Sequence, residues 1–184
     1  MEGNVFVGEL SVEPNHSTVK DLVIEALSRV NVPSNIKLKN KALDETELIV
    51  DFDKISNVFT KIIDNAVEAI GDSGSIRIWS TKEDRAINVF VSDSGSGIPR
   101  SILPKIFSPL VTSKAKGMGM SLATCKRILE AHGGKISFET EEGKGTTFVV
   151  MLPIKTDVAP DDSVKLHSGE ATFTDLPIVT PFHK

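Results

Sequence analysis

Apolar residues recur at helical spacing in three stretches of the chain. The strongest pattern covers residues 53–70, where apolar side chains repeat at i, i+3, i+4 and i+7 and define one buried face. A second pattern covers residues 18–30, and Ser17 or Thr18 can cap that helix. A third covers residues 119–131 and ends at a pair of glycines. These stretches predict three helices.

Other segments alternate between apolar and polar positions, which indicates strands. These segments are residues 36–41, 47–50, 75–81, 86–91, 135–140 and 146–152. A weaker alternation surrounds Val5 and Val7 and is followed by a Pro/Asn break, and residues 99–107 suggest a short helix. Helices grouped with mostly antiparallel strands are typical of the α+β class. We therefore expect a two-layer α/β sandwich, in which a mixed, mostly antiparallel sheet packs on helices.

Composition and charge limit the classes of partner. The chain has 184 residues, 40% of them apolar, which is enough for one sizeable core. A formal net charge of −4 without a Lys/Arg run argues against binding nucleic acid or contacting a membrane. No apolar stretch approaches the ~20 residues that span a bilayer, and the first residues do not resemble a signal peptide, so we expect a cytoplasmic protein. A single cysteine, Cys125, excludes an internal disulfide.

The periodic segments divide the chain into three parts. Residues 1–16 are expected to be a linker, 17–154 a folded domain, and 155–184 a disordered tail, because no sustained period follows Lys155. The fragment DLPIVTPF in the tail is also consistent with a docking peptide, or with a strand added to another sheet.

A polar stripe lies beside the apolar face of the predicted helix 53–70. Lys61, Asn65 and Glu68 share this stripe and can face a cavity while the helix stays anchored. Asn65 offers a neutral amide oxygen, which suits a hard cation such as Mg²⁺ that takes its other ligands from phosphate and water. Taken alone, a solvated asparagine on a polar face is the better interpretation.

The motif DSGSGIP directly follows the predicted strand 86–91. The strand therefore delivers Asp93 and two glycines to its end, where open sheets commonly bind ligands. Asp93 can accept a hydrogen bond from an exocyclic amine, such as the amino group of adenine. Gly95 and Gly97 permit positive φ and a close approach of the ring to the backbone. An ordinary turn is the alternative, which the preceding strand disfavours.

A second glycine-rich motif, GMGMS, opens the third predicted helix directly after a lysine-containing loop. Backbone N–H groups at a helix N-terminus can hold phosphate oxygens, helped by the helix dipole. Lys114 or Lys116 can add a point charge, although either residue is equally consistent with a solvated loop lysine.

Taken in order, these motifs resemble the GHKL ATPase superfamily, and specifically the catalytic ATP-binding domain of two-component sensor histidine kinases. The resemblance covers residues 17–154. DNAVEAI resembles the N box, DSGSGIP the G1 box, IFSPLVTSKAKG the F box and ATP lid, GMGMSLATCKRILEAHGGKI the G2 region, and GKGTTFVVMLP the closing hairpin. The set is highly specific, although no single motif is.

The resemblance implies the Bergerat sandwich, with ATP and Mg²⁺ bound between the helix layer and the lid. By this resemblance Asn65 would hold Mg²⁺, Asp93 would bind the adenine amine, and Thr146 would support the adenine side of the pocket. His132 is expected to be a structural residue at a helix end, and Cys125 a packed one. The other residues expected at the nucleotide are Gly95, Gly97, Ile98, Lys114, Lys116, Gly117, Met118, Gly119 and Met120.

Departures from the family's pattern bear on the mechanism. Lys61 stands where many histidine kinases have another Asn, and where chaperone, mismatch-repair and gyrase-type relatives have a Glu as general base. A charged lysine cannot serve as that base, so water activation is disfavoured and we assign no catalytic base. Met118, Met120 and Ser121 replace the usual Thr, Leu and Gly of the G2 motif, and Ser121 is expected to stiffen the lid hinge.

The chain lacks the phosphate-accepting histidine of the family, which is followed by an acidic residue and, a few positions on, a proline. None of His16, His132, His167 and His183 has that context. We therefore expect ATP-dependent phosphorylation of a histidine on a separate dimerisation hairpin, in a parent chain or in trans, with a response regulator downstream. The alternatives are a non-catalytic nucleotide-binding regulatory module and an ATP-hydrolysing clamp of the chaperone or mismatch-repair type.

Overall fold

The computed structural model describes residues 11–108 and 121–154. The expected alternation around Val5 and Val7, the lid segment and the tail from Lys155 lie outside these residues. The helices and strands are α1 (Val19–Arg29), α2 (Phe52–Ile70), α3 (Leu122–Ala131), β1 (Asn15–Thr18), β2 (Ile36–Lys41), β3 (Glu47–Val50), β4 (Gly74–Lys82), β5 (Ala86–Asp93), β6 (Lys135–Glu141) and β7 (Gly145–Pro153).

Five strands form the main sheet, in the order β2-β4-β5-β7-β6. β2 and β4 run parallel, while the other neighbouring pairs of this sheet are antiparallel. β1 and β3 form a separate two-stranded antiparallel sheet. The arrangement confirms the predicted α+β two-layer sandwich with a mixed, mostly antiparallel sheet.

The core lies between one face of the main sheet and the helices. On β5 the alternation is regular, because Ile87, Val89 and Val91 are buried while the residues between them are partly exposed. α2 contacts α1, α3 and β5, so a side chain on its flank is held between the two layers. Within the described residues, no helix combines the length and the apolarity needed to cross a membrane.

Asp51 and His132 fix the start of α2. Asp51 caps the helix, since its Oδ1 accepts the N–H of Lys54 at 3.1 Å. The backbone N–H of Asp51 donates to Nε2 of His132 at 3.0 Å, and Nδ1 of the same ring donates to the carbonyl of Ile128 at 2.7 Å. His132 is buried at the end of α3 and joins it to α2, as expected for a structural residue.

One local expectation is wrong, and another is met in part. The short helix expected at residues 99–107 is a single 3₁₀ helix, Leu103–Lys105, and Pro104 lies in its first turn, where a missing N–H is tolerated. The expected Pro/Asn break contains strand β1, whose residue Asn15 pairs with Val50 of β3. Pairing across this distance leaves no mark in the local sequence pattern.

Candidate functional site

Asp93 is the last residue of β5 and is buried, with 7% of its surface exposed. Its Oδ1 accepts the backbone N–H of Gly95 at 2.8 Å and that of Thr146, on β7, at 3.3 Å. The carboxylate is therefore held between its own loop and the neighbouring strand. Both of these bonds use Oδ1, so Oδ2 is the oxygen that can accept from a ligand.

The electrostatic surroundings of Asp93 favour a ligand that donates a hydrogen bond. Burial raises the pKa of the Asp93 carboxyl above its ordinary value, although the N–H groups of Gly95 and Thr146 oppose that shift. A buried carboxylate with a free lone pair gains from a donor that arrives with an otherwise apolar ligand. An amino group on an aromatic ring has this chemistry, which is the chemistry predicted for Asp93 from the sequence.

The loop after β5 is clamped between the end of α2 and the β6–β7 turn. Ser96 donates its N–H to the carbonyl of Ala69 at 3.0 Å, and the N–H of Gly143 donates to the carbonyl of Ser96 at 2.7 Å. The backbone of Ser96 thus ties the loop both to α2 and to the β6–β7 turn. The position of the loop depends on α2 and on the hairpin together.

The glycines of this loop make room for the protein's own backbone. A Cβ on Gly95 would lie 2.5 Å from the carbonyl of Ala69, and a Cβ on Gly97 would lie 2.3 Å from the carbonyl oxygen of Glu141. Only Gly97 of the two has positive φ, at 70°. Both glycines were expected to permit positive φ, and Gly97 uses that freedom. Ile98, the next candidate, packs partly buried against the core.

Thr140, at the end of β6, organises the same loop and was missed by sequence reasoning, since no motif marks it. Its Oγ1 accepts the N–H of Ile98 at 2.9 Å, donates to the carbonyl of Gly145 at 3.1 Å and lies 3.0 Å from Oγ1 of Thr146. Gly145 was also not singled out, although a Cβ there would lie 2.1 Å from the carbonyl oxygen of Asp93. Its place in GKGTTF is the one signal that could have found it.

Asn65 is half-buried on α2, one turn after Lys61 and one turn before Ala69. Residues four apart share a helix face, so Asn65 lies on the side of α2 that contacts the glycine loop through Ala69. No hydrogen bond joins the Asn65 amide to another of the described residues. Its oxygen can therefore serve an external partner. Glu68, the third member of the predicted stripe, is exposed.

α3 begins immediately after Ser121. Oγ of Ser121 accepts the N–H of Thr124 at 3.1 Å, so this serine is the N-cap of the helix. Its extended backbone shows that the prediction of one continuous helix from Gly119 is wrong. A residue expected to stiffen the lid hinge is thus a helix cap. Six candidates lie outside the described residues: Lys114, Lys116, Gly117, Met118, Gly119 and Met120.

Phe107 lies near the end of the first described range and packs against β6. Its ring lies 5.8 Å from the ring of Phe138 on β6, and Nζ of Lys126 lies 5.9 Å from its centroid. On the inner side of α3, burial raises the pKa of the Cys125 thiol to about 12, while the charge of Lys61 acts in the opposite direction. Cys125 is therefore a packed, protonated thiol, as expected.

The chemistry of these groups fits a nucleotide with Mg²⁺. Among the described residues, no three His, Cys, Asp or Glu side chains lie close enough together to hold a metal ion. A cation at Asn65 would therefore take most of its ligands from phosphate oxygens and water, as Mg²⁺ does with nucleotides. Asp93 could accept a hydrogen bond from the base, and the N-terminus of α3 could offer positive partial charge to phosphate.

Comparison with known proteins leads to the same class. Residues 50–156 match the family described as histidine kinase-, DNA gyrase B-, and HSP90-like ATPase. Sensor histidine kinase ZraS of Escherichia coli K12 is 35% identical over 162 residues, which cover 82% of this chain and 35% of ZraS. Sporulation kinase C of Bacillus subtilis is 36% identical over 126 residues, covering 67% of this chain and 29% of that kinase. The chain belongs to this ATPase family, as a catalytic ATP-binding domain of the sensor histidine kinase type.

Solved structures agree with this assignment. The catalytic domain of histidine kinase ThkA superposes with a TM-score of 0.68 at 32% identity, covering 77% of this chain and 95% of that one. The mycobacterial sensor histidine kinase MprB gives the same TM-score of 0.68 at 21% identity, which supports the fold alone. The chain spans about a third of the length of the curated relatives that it matches.

Proposed function

We propose that this domain binds ATP with Mg²⁺ and serves as the phosphoryl donor for a histidine on a separate dimerisation hairpin. The observation that carries the proposal is the carboxylate of Asp93, buried at the end of β5 and held by two backbone N–H groups. Such a preorganised acceptor suits the adenine amine. Asn65, on the α2 face beside the same loop, supplies the oxygen for Mg²⁺.

The remaining residues position the nucleotide. Gly95, Gly97 and Ile98 keep the loop in place, and Thr146 holds Asp93 from the adenine side. The lid and the G2 motif contact the phosphates, through Lys114, Lys116, Gly117, Met118, Gly119 and Met120. Bound ATP would supply the phosphoryl group, and Mg²⁺ would neutralise its charge.

This domain contributes positioning, Mg²⁺ and charge neutralisation to the chemistry, but no general base. Lys61 in its charged form cannot accept a proton, so the stripe that carries Asn65 offers no general base where hydrolysing relatives have one. Positioning by itself can supply a large part of a rate enhancement. Deprotonation of the acceptor histidine is then the task of the acceptor's own domain.

The partners follow from the same proposal. Residues 17–154 act as the catalytic domain, on a hairpin in the parent chain or in trans, with a response regulator as the final acceptor. ThkA in complex with response regulator TrrA matches this chain at 30% identity over 78% of its length, which supports that last step. We place the domain in the cytoplasm, where ATP is available, and expect no contact with nucleic acid or membrane.

The test is phosphorylation of a hairpin. The chain is fused behind a histidine-bearing dimerisation hairpin, which raises the effective concentration of the acceptor, and is incubated with γ-labelled ATP. We expect acid-labile phosphohistidine that is lost in Asn65→Ala. The matched control is Asn88→Ala, because Asn88 lies on β5 and its amide donates to Glu83 at 2.7 Å, away from the loop.

Two outcomes separate the alternatives. ATP binding without phosphohistidine on the fused hairpin would favour a non-catalytic regulatory module. Steady release of phosphate by the isolated chain, abolished by Asn65→Ala, would favour a hydrolysing clamp despite Lys61.

A further inference from the structure

Lys61 is a half-buried lysine on α2, where it forms a second stripe with Asn65 and Ala69. The three residues are four positions apart, so they follow one another at about 6 Å along the helix axis. The far end of the stripe touches the glycine loop, since Gly95 packs against the backbone of Ala69. The stripe is therefore one wall that runs from the loop, past the proposed Mg²⁺ ligand, to Lys61.

At its other end this wall meets the start of α3. α2 packs against α3, and Cys125 lies one turn after the N-cap, with its N–H donating to the carbonyl of Ser121 at 3.0 Å. The charge of Lys61 is close enough to the Cys125 thiol to lower its pKa against the larger, opposite effect of burial. Lys61 thus lies on a helix that packs against α3, and its charge acts on a residue in the first turn of α3.

Two positive features thus lie on neighbouring helices, the charge of Lys61 on α2 and the N-terminus of α3. The N-terminus of a helix carries positive partial charge, which disfavours a cation beside it. A half-buried ammonium also loses part of its hydration. An anion bound between the two helices would therefore be favourable, and the proposed triphosphate is the anion that would bind at this site.

We propose that Lys61 contacts the terminal phosphates of bound nucleotide and acts as a fixed cation beside Asn65. This inference rests on the proposed ATP site and adds a residue to it. Because a lysine carries a full charge and three donors, it takes over part of the neutralisation that Mg²⁺ provides. ATP affinity should then depend less on Mg²⁺ than it would with an asparagine at position 61. The alternative is that the aliphatic part of Lys61 packs on α3 while its ammonium group stays in water.

Calorimetric titration of the full chain with ATP and with AMP, each in Mg²⁺ and in EDTA, separates these roles. Lys61→Met keeps most of the length of the side chain and removes its charge. We expect ~10-fold weaker binding of ATP and less than ~2-fold weaker binding of AMP, which lacks the terminal phosphates. In EDTA, the unchanged protein should bind ATP ~10-fold more tightly than Lys61→Asn, and Lys61→Arg should retain most of that advantage.

The control is Lys126→Met, which removes the same charge from the residue after Cys125. Lys126 has a side chain that is 48% exposed and pairs with Glu130 at 3.8 Å, so its loss should leave both affinities unchanged. Thermal unfolding without nucleotide checks that each variant is folded.

Failure can be assigned to the correct proposal. Equal losses for ATP and AMP, or no loss in Lys61→Met, would overturn the role of Lys61 while ATP binding by the unchanged protein stands. If the unchanged protein binds neither nucleotide, the proposed function fails and the role of Lys61 fails with it.

Discussion

Oδ1 of Asp93 and the backbone nitrogen of Thr146 lie 3.3 Å apart, although 53 positions separate the two residues in the sequence. The contact joins the end of β5 to the start of β7. Thr146 is itself buried, and its hydroxyl lies 3.0 Å from that of Thr140 on β6. The carboxylate proposed to bind adenine is therefore held by the hairpin that closes the sheet, and changes in that hairpin should reach the nucleotide.

Asp93→Asn should separate nucleotide binding from folding. The amide oxygen can still accept from Gly95 and Thr146, whereas the amide nitrogen would meet the adenine amine donor to donor. We expect ATP affinity to fall ~10- to 100-fold in calorimetric titration.

Although Asp93→Asn should weaken ATP binding, it should not lower the stability of the protein. The folded-state pKa of Asp93 is raised by burial, so the unfolded chain ionises first as pH rises, and the ionised group lowers the free energy of unfolding above that interval. A neutral amide removes this cost. The melting temperature without nucleotide at pH 7 should be unchanged or higher. A variant that loses both affinity and stability would contradict the assignment.

Gly145→Ala should disturb Asp93 through the backbone. Gly145 has φ at 116°, and an added Cβ would lie 2.1 Å from the carbonyl oxygen of Asp93. The matched control is Gly143→Ala, which also has positive φ, at 81°, but has nothing within 4 Å of the added Cβ. We expect the control to cost ~1 kcal/mol in urea unfolding, and Gly145→Ala to cost ~2–4 kcal/mol and to weaken ATP binding. Equal costs would show that φ alone matters at both positions.

The periodic elements were predictable because their own side chains define a buried face. Helix 53–70 is observed at Phe52–Ile70, and the strands predicted at 36–41 and 47–50 have the bounds of β2 and β3. Local pattern failed where a distant partner decides the structure, since β1 depends on its pairing with β3.

The same division holds for the candidate site. Asp93 was recognisable because it ends an apolar strand and precedes two glycines. Thr140 was not recognisable, because its partners Ile98 and Gly145 reach it only in the folded structure. The pairing of β6 with β7 brings Gly145 to it, and the path of the loop after β5 brings Ile98. No fixed spacing in the sequence marks either contact. Likewise, the need for glycine at position 95 comes from Ala69, which lies on another element.

Thr140→Val should loosen the loop while keeping the shape of the side chain. It removes the acceptor of the Ile98 N–H and the donor to the Gly145 carbonyl, at a cost of ~1–3 kcal/mol because partly buried backbone groups lose their partners. Thr147→Val is the control, since that hydroxyl donates to Oγ of Ser92 on β5, within the sheet. Hydrogen exchange of the Ile98 amide should speed up in Thr140→Val only. Unchanged exchange in Thr140→Val would contradict the role of its hydroxyl.

Acid stability should depend on Asp51. Burial opposes ionisation of this carboxyl, but the hydrogen bond from Nζ of Lys54 at 2.5 Å and the N–H groups of Glu13 and Lys54 outweigh it, so the pKa of Asp51 lies below its ordinary value of 3.8. A carboxyl with a lowered folded-state pKa contributes stability that is present above the unfolded-state pKa and is lost as pH falls through the folded-state value.

Asp51→Asn keeps an oxygen for the helix cap and removes the charge, so its free energy of unfolding should fall less steeply with acid than that of the unchanged protein. Urea unfolding at several pH values between about 5 and 2 measures the slope. Asp53→Asn is the control, because that side chain is 81% exposed and reaches Arg29 only at 3.5 Å. If the two variants share one acid slope, the ion pair at the start of α2 contributes nothing to stability.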